Sequence, residues 1–312
     1  MRILITGING FVGTNFTNSW CKNHTLFGLD IIQPELEGVV RTYGWDELDK
    51  VPRVDAIVHL AGKAHDTKNQ SLEHDYFEIN TGLTQKIFDY FLLSDIRSFV
   101  FFSSVKAAAD SVQDDVLTEE VIPVPVGPYG ESKIRAEEYI LSKQADYVAK
   151  GKQVYILRPC MIHGPGNKGN LNLLYSVVKK GIPWPLGAYE NLRSFCSIEN
   201  ISFVVEQLIL KENNESGIYH VGDDEPLSTN ELIMLISESV GKKSHIWKLP
   251  KGLMSTMASV GGALRLPLNK ERLRKLTENY VVSNAKIKRA LGIEKMPLSA
   301  QEGMRKTLDS FR

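Results

Sequence analysis

Tyr129 and Lys133 are four residues apart, a spacing that puts both side chains on one face of a helix. A lysine ammonium beside a phenol favours the phenolate and lowers the pKa of the phenol from its ordinary value of about 10. Tyr129 could then remove the proton of an alcohol while a hydride leaves the same carbon. Because Tyr and Lys often meet at this spacing by chance, the interpretation depends on the elements around them.

Two serines precede this pair, at the end of the apolar run Phe99–Ser103. Ligands of open α/β sheets bind at the carboxyl ends of the strands. Ser104 is therefore placed to bond the reacting oxygen and to share its proton with Tyr129. The alternative is that the two serines begin a loop, and Ser103 could do no more than that.

A glycine-rich turn follows the first predicted strand, Arg2–Thr6, and leads into a helical pattern. Gly7, Gly10 and Gly13 would allow a tight turn, a close approach of the backbone to a pyrophosphate, and close packing of helix on strand. The first N–H groups of the helix would then bind the anion. The motif predicts a dinucleotide site, and an ordinary structural turn is the alternative.

Asp30 closes the second predicted strand, Thr25–Asp30, 20 residues beyond Gly10. A carboxylate at this place accepts hydrogen bonds from the ribose hydroxyls of an adenosine and repels a 2′-phosphate, which favours NAD over NADP. The alternative is that Asp30 only caps the following loop.

Further apolar strands alternate with amphipathic helical stretches, and this alternation is typical of βαβ units. It predicts an α/β fold, a Rossmann-type doubly wound parallel sheet with a smaller mixed α/β C-terminal lobe. The helices expected to flank the sheet include Glu78–Leu93 and Ser132–Ala149. The expected cofactor domain is residues 1–165, with 193–222 returning to it, and the expected substrate lobe is residues 166–192 and 223–312.

The composition of the chain excludes several classes of protein. Its 312 residues carry 37 Lys plus Arg and 37 Asp plus Glu, so there is no basic excess for nucleic acid. Three cysteines without a CxxC or a Cys/His cluster predict neither a metal site nor disulfides. Nothing in the sequence resembles a signal peptide, and no apolar run reaches about 18 residues. We expect a soluble cytoplasmic protein with no membrane partner.

The order of these motifs resembles the extended short-chain dehydrogenase/reductase family, in its nucleotide-sugar epimerase and dehydratase branch. The resemblance extends over nearly the whole chain. Beyond the residues above it includes His59–Gly62, Asn80–Gly82, Leu157–Pro159, His163–Gly166, Arg193–Phe195, Tyr219–Gly222 and Ser283–Lys286.

The resemblance implies a catalytic role for Ser104, Tyr129 and Lys133, with Lys133 also holding the nicotinamide ribose. A UDP- or dTDP-sugar would bind beneath the C-terminal lobe. The implied dinucleotide contacts are Gly7, Gly10, Phe11, Val12, Gly13, Asp30, Ile31, Leu60, Ala61, Gly62, Asn80, Ser103, Tyr129 and Lys133. The expected substrate contacts are His65, Ser104, Lys106, Asn170 and Arg193.

Arg193 would bind a substrate phosphate, since a guanidinium fork suits that geometry. A surface salt bridge is the alternative for Arg193, and a loop facing water is the alternative for His65 and Lys106. Members of the family that dehydrate sugars carry Asp-Glu directly after the catalytic hydroxyl residue. Val105 and Lys106 stand there instead, which argues against 4,6-dehydration.

Two further departures concern the sugar. Met161 and His163 replace the asparagine and tyrosine that many relatives carry, which weakens the transfer of UDP-galactose epimerase contacts. Proteins of polysaccharide assembly resemble the chain in this region, and they include both 4-epimerases and 4-ketoreductases.

The sequence therefore predicts an NAD-dependent 4-epimerase of a UDP-hexose. The alternatives are an NAD(P)H-dependent reductase of a nucleotide 4-keto-6-deoxy sugar and a non-catalytic dinucleotide sensor. By resemblance we also expect a homodimer formed through Glu78–Leu93 and Ser132–Ala149.

Overall fold

A computed structural model describes residues 1–63, 72–112, 115–211, 214–263 and 269–311 of the chain. The strands in these residues are β1 Arg2–Thr6, β2 Thr25–Leu29, β3 Val39–Tyr43, β4 Ala56–His59, β5 Ser98–Phe102, β6 Gln153–Pro159, β7 Met161–His163, β8 Leu192–Arg193, β9 Phe195–Ser197, β10 Gly217–Val221 and β11 Leu227–Ser228. Seven of them form one parallel sheet in the order β3-β2-β1-β4-β5-β6-β10. This is the doubly wound order with one strand added, and the predicted fold class is confirmed.

The helices follow the strands along the chain. They are α1 Phe11–Trp20, α2 Glu73–Tyr76, α3 Leu83–Leu93, α4 Val105–Ala108, α5 Gly127–Ser142, α6 Gln144–Ala149, α7 Asn170–Lys179, α8 Ile198–Leu210, α9 Thr229–Ser239, α10 Lys251–Ala263, α11 Lys270–Thr277, α12 Ala285–Leu291 and α13 Ala300–Asp309. A 3-10 turn covers Leu48–Lys50, and a π-helical segment covers Phe77–Gly82.

The sheet has a hydrophobic core on each face because its central strands carry apolar side chains on both faces. Ile3 and Ile5 of β1 pack with Phe16 of α1 and Val204 of α8 on one face. Leu4 points to the opposite face, where it shares a core with residues of α3, α5 and β5. Alternate residues of one strand thus serve two cores, as expected for a parallel sheet covered on both sides.

A third hydrophobic cluster lies outside the sheet and is built by the later helices. Tyr175 of α7, Ile236 of α9, Met254 of α10 and Met304 of α13 belong to it. The short pairs β11-β8 and β7-β9 connect this part of the chain to the sheet, which β10 rejoins beside β6. In the described residues, no helix has both the length and the apolar character needed to cross a bilayer.

Two predicted helices differ from the structure. The helix predicted over Ser132–Ala149 begins earlier, at Gly127, because Pro128 fixes φ and needs no N–H partner in the first helical turn. It ends at Ser142, and α6 follows after Lys143. The helix predicted to start at Glu78 starts at Glu73 and contains the π-helical segment, so Asn80 lies inside it.

Candidate active site

The site forms between the neighbouring parallel strands β1 and β4, where the strand order of the sheet reverses. Gly7 follows β1 with φ of +68°, a left-handed conformation that glycine adopts without strain. A Cβ at Gly7 would lie 2.8 Å from the backbone nitrogen of Ala61 after β4. The two turns therefore touch, and only a residue without a side chain fits between them.

Gly13 allows an equally close approach inside the glycine-rich turn. A Cβ there would lie 2.5 Å from the carbonyl oxygen of Ile8 and 2.7 Å from that of Gly7. Both are backbone atoms, so the turn itself would have to move. The helix α1 that follows has no side chain capping its first N–H groups, which leaves them for an anion.

We expect Gly13→Ala to weaken NAD binding at least tenfold, because the displaced turn carries the N–H groups that face the pyrophosphate. Isothermal titration with NAD measures this. Gly252→Ala is the matched control, since a Cβ at Gly252 meets nothing within 4 Å. NAD binding to Gly13→Ala as tight as to the unchanged chain would contradict the assignment of the turn.

Asp30 lies directly after β2 and next to the glycine-rich turn. Its carboxylate accepts the N–H of Asn9 at 3.0 Å and the N–H of Ile31 at 2.7 Å. The capping role that was the alternative for Asp30 is thus present in the structure. An additional contact with a ribose stays a prediction, as does a contact through Ile31, whose side chain is 80% exposed.

A chain of buried hydrogen bonds joins β1 to the helix that contains Asn80. The amide of Ala61 donates to Thr6 Oγ1 at 3.1 Å, and Thr6 Oγ1 lies 2.6 Å from His59 Nδ1. His59 Nε2 lies 2.9 Å from Thr84 Oγ1, which donates to the carbonyl of Asn80 at 2.6 Å. The pattern is satisfied if Thr6 donates to Nδ1 and Nε2–H donates to Thr84.

Burial lowers the pKa of His59 to about 3, and the nearby Lys133 ammonium lowers it further in the same direction. His59 is therefore neutral, as the hydrogen-bond chain requires. Its role is to fix the turn after β4. Sequence reasoning missed it, although a histidine inside the apolar strand β4 was a usable signal.

Asn80 extends this chain toward Tyr129. Its side-chain oxygen accepts the N–H of Lys63 at 2.7 Å, and its side-chain nitrogen donates to Ser132 Oγ at 2.9 Å. Ser132 Oγ donates in turn to the carbonyl of Tyr129 at 2.9 Å. Asn80 thus holds the turn after β4 against the first turn of α5.

Tyr129 lies in the first turn of α5 and is half-buried. Its hydroxyl makes a side-chain hydrogen bond with Ser104, which is 8% exposed. Ser104 is the N-cap of α4, and its Oγ accepts the N–H of Lys106 at 3.1 Å. Ser104 and Tyr129 are thus neighbours, and their joint contact with a reacting oxygen stays a prediction.

The expected lowering of the Tyr129 pKa by Lys133 is absent. Burial raises the pKa of Tyr129, and only the Ser104 hydrogen bond acts in the opposite direction. Lys133 Nζ instead donates to the carbonyl of Phe102 at 2.8 Å. The chain alone therefore favours the protonated phenol.

Lys133 is 5% exposed, and burial lowers its pKa to about 8, against the opposing field of the Glu137 carboxylate. A Cβ at Gly62 would lie 3.1 Å from Lys133 Nζ and 2.9 Å from Asn80 Oδ1. The absence of a side chain at Gly62 keeps the space beside the ammonium open.

This shift makes the stability contribution of Lys133 depend on pH. Below pH 8 Lys133 is charged in the folded chain, and burial of this charge lowers the free energy of unfolding. Between about pH 8 and the ordinary pKa of 10.5, Lys133 is mostly neutral in the folded chain and still charged in the unfolded chain. Unfolding then takes up a proton, and stability rises with pH. We expect Lys133→Met to be more stable relative to wild type at pH 7 than at pH 10.5, by about 3 kcal/mol. Urea unfolding at both pH values measures the difference, and a difference independent of pH would contradict it.

A buried ion pair that the sequence did not predict joins α5, the helix that carries Tyr129 and Lys133, to strand β6. Arg158 of β6 and Glu137 of α5, both 1% exposed or less, are joined by Nε–Oε1 at 3.0 Å and Nη2–Oε2 at 2.6 Å. The Ser103 hydroxyl donates to the same carboxylate. The proton of the Ser103 hydroxyl is therefore engaged by Glu137, and a cofactor contact of Ser103 stays a prediction. An arginine inside the apolar strand β6 was the available signal.

The structure brings two of the predicted substrate residues together, Lys106 and Arg193. Burial lowers the pKa of Lys106, and the charge of Arg193 contributes in the same direction. Lys106 is not in a loop: it lies in α4, its Nζ is 3.0 Å from Asp110 Oδ1, and it lies over the ring of Tyr280 at 4.6 Å. The Tyr280 hydroxyl donates to the carbonyl of Ala109 at 2.7 Å, which ties α4 to the later part of the chain.

Arg193 is half-buried rather than on the surface, and it donates to the carbonyl of Lys275. Asn170 is exposed in the first turn of α7, and its substrate contact stays a prediction. His65 lies outside the described residues. His163, at the place of the expected tyrosine, is fully buried between Thr307 and Asp223.

The residues present fit a dinucleotide. The turn at Gly7 and Gly13 accepts no side chain, the start of α1 offers N–H groups, and the space at Gly62 opens beside the Lys133 ammonium. A pyrophosphate at the turn and a ribose at Lys133 would use these features together.

Known proteins of similar sequence and structure include several sugar 4-epimerases. The chain is 28% identical to UDP-glucose 4-epimerase of Vibrio cholerae, over 99% of this chain and 95% of that protein. It is 26% identical to N-acetyl-alpha-D-glucosaminyl-diphospho-ditrans,octacis-undecaprenol 4-epimerase of Escherichia coli O157:H7, over 92% and 85%. The solved structure of UDP-N-acetylglucosamine 4-epimerase from Bacillus cereus matches with a TM-score of 0.76 and 20% identity, over 99% and 97%.

The family described as NAD dependent epimerase/dehydratase matches residues 3–222, from β1 to the end of the sheet. The match confirms the resemblance to this branch of the extended short-chain dehydrogenases and the expected dependence on NAD. The chain belongs to the NAD-dependent epimerase/dehydratase family.

Proposed function

We propose that the chain is a 4-epimerase of a UDP-hexose. The observation that carries the proposal is the Tyr129 hydroxyl bonded to Ser104, with Lys133 one helical turn away beside the opening at Gly62. The UDP-glucose 4-epimerase of Vibrio cholerae, similar along almost its whole length, supports this reaction class.

When bound, NAD would supply a reversible hydride acceptor for the sugar C4. Tyr129 takes the proton of the sugar C4 hydroxyl and later gives it back. Ser104 bonds the same oxygen, and its orientation is fixed because its Oγ already accepts the N–H of Lys106. Lys133 binds the ribose beside Gly62, and with a pKa of about 8 its amino group is still positively charged at neutral pH.

The residues after Ser104 support epimerisation over dehydration. Val105 is 5% exposed and apolar, and Lys106 is turned toward Asp110. Neither position offers the carboxylate that would serve as acid or base in removing water from the sugar.

The test is turnover without added reductant. Purified protein would be incubated with UDP-glucose, UDP-N-acetylglucosamine and UDP-glucuronic acid, and the products separated by chromatography and identified by NMR. We expect the 4-epimer of at least one sugar to accumulate to equilibrium with no net change in NADH absorbance. Tyr129→Phe serves as the inactive control.

The other outcomes identify the alternatives. Stoichiometric consumption of NADH or NADPH with a nucleotide 4-keto-6-deoxy sugar, and no epimer, would show the reductase. Tight NAD binding without turnover of any nucleotide sugar would indicate the non-catalytic sensor.

In this proposal the nucleotide sugar binds beneath the lobe of residues 166–192 and 223–312, and Arg193 binds its diphosphate. Two copies of the chain associate through α3 and α5, which pack side by side. Light scattering of the purified chain measures the dimer directly.

A further inference from the structure

Two segments of the C-terminal part carry an unbalanced positive charge. Residues 179–187 and 242–259 contain six lysines and no Asp, Glu or Arg, although the whole chain has zero formal net charge. We call these two segments the basic face. Its lysines are Lys179, Lys180, Lys242, Lys243, Lys248 and Lys251, all exposed.

The two segments of the basic face are in direct contact. The N–H of Trp184 donates to the carbonyl of His245 at 2.8 Å, and the N–H of Trp247 donates to the carbonyl of Trp184 at 2.8 Å. Lys242 Nζ donates to the carbonyl of Lys179 at 2.6 Å. The lysines of both segments therefore belong to one surface.

Large apolar side chains are exposed between these lysines. Ile182 is 51% exposed, Trp247 55%, and Leu253 and Met257 49% each. Leu253 and Met257 are one turn apart on α10, so they share a face of that helix. The neighbouring residues Met254 and Ala258 are buried, which means that α10 has an inner face in the core and an outer apolar face.

The positive charges of the basic face are not neutralised within the chain as far as the structure describes it. In residues 1–63, 72–112, 115–211, 214–263 and 269–311, none of the six lysines forms an ion pair. A cavity of about 400 Å³ opens on this face, with Val178, Ile182 and Ile233 in its wall and Lys242, Lys243 and His245 also lining it. Apolar walls with adjoining cations suit a phosphate-bearing amphiphile.

We propose that the basic face docks the protein on an anionic lipid surface. Lysine stems reach over apolar surface while their ammonium groups stay at the headgroups. Tryptophan and aliphatic side chains enter the boundary between headgroups and acyl chains, and each lysine near the surface adds attraction to anionic lipid. Nucleic acid is disfavoured, because the face has no arginine and exposes aliphatic side chains between its charges.

The proposal is independent of the reaction at Tyr129. It also differs from the expectation of no membrane partner, which rested on the lack of a membrane-spanning run. A surface that lies on the headgroups needs no such run.

The test uses the full chain and sedimenting vesicles of phosphatidylcholine, alone or with 30% phosphatidylglycerol. We expect at least tenfold tighter binding to the anionic vesicles at 50 mM NaCl, and a large loss at 300 mM NaCl. Lys243→Glu with Lys248→Glu should weaken binding at least tenfold. Lys22→Glu with Arg53→Glu makes the same charge change at exposed cations elsewhere and should leave binding within twofold.

A second measurement examines the apolar contact. Brominated acyl chains should quench the fluorescence of the bound protein, and Trp247→Phe should remove most of that quenching. Of the other three tryptophans, Trp20 and Trp184 are buried, and Trp45 lies beside His59 of β4. The proposal is overturned by no binding to anionic vesicles at low salt, by equal losses in the two charge variants, or by quenching that survives Trp247→Phe. It is also overturned if Lys243→Glu with Lys248→Glu dissociates an oligomer, because the face would then join two copies of the chain.

Discussion

Tyr129→Phe is expected to lower kcat by about 10²- to 10⁴-fold, the range typical for loss of a general acid–base group. The substitution removes only the hydroxyl that is bonded to Ser104. The ring contact with Tyr76 and the packing of the first turn of α5 are kept. Bound NAD and the thermal midpoint should therefore stay unchanged while turnover of the UDP-sugar is lost.

Tyr139→Phe is the matched control for this experiment. Tyr139 lies in the same helix, and its hydroxyl donates to Asp89 at 2.5 Å. Removing that hydroxyl should leave kcat within about twofold of wild type, because Asp89 takes no part in the site. The assignment of Tyr129 fails if Tyr129→Phe keeps more than a tenth of the wild-type turnover.

Arg158→Met is expected to lower the free energy of unfolding by about 3–5 kcal/mol, since it leaves the Glu137 carboxylate buried without a counter-ion. The double variant Glu137→Met with Arg158→Met should be more stable than Arg158→Met, because it removes both charges. Urea unfolding followed by circular dichroism measures all three proteins.

The exposed pair Arg305–Glu238 gives the comparison, with side chains 51% and 56% exposed. Arg305→Met should cost less than about 1 kcal/mol, because water screens that pair. Equal costs for Arg158→Met and Arg305→Met would show that the buried pair does not stabilise the fold.

The sequence predicts the central features because they obey local rules. Glycine at positions 7 and 13 indicates a turn in which no Cβ fits, and that restriction comes from a few neighbouring backbone atoms. Mostly apolar strands indicate burial on both faces of a parallel sheet. The four-residue spacing of Tyr129 and Lys133 needs only that α5 be a helix.

The features that sequence reasoning missed depend on contacts between distant residues. The pair Glu137–Arg158 joins α5 to β6, and the bond of His59 to Thr84 joins β4 to α3. The Tyr129 pKa was predicted in the wrong direction for the same reason. Proximity of Lys133 in sequence did not show that its amino group bonds the carbonyl of Phe102 or that burial would raise the pKa of Tyr129.

The π-helical segment Phe77–Gly82 accommodates an extra residue in this helix. A π turn holds one residue more than an α turn, so it behaves as an insertion inside a continuous helix. The extra residue is taken up within the segment, so the helical turns before and after it keep the phase of a continuous α-helix. Asn80 lies inside the segment and donates to Ser132 Oγ from there. Deleting one residue within Phe77–Gly82 would therefore change the place of Asn80 while leaving the flanking turns in phase, whereas a deletion within Leu83–Leu93 would rotate the turns on its two sides by about 100° relative to each other.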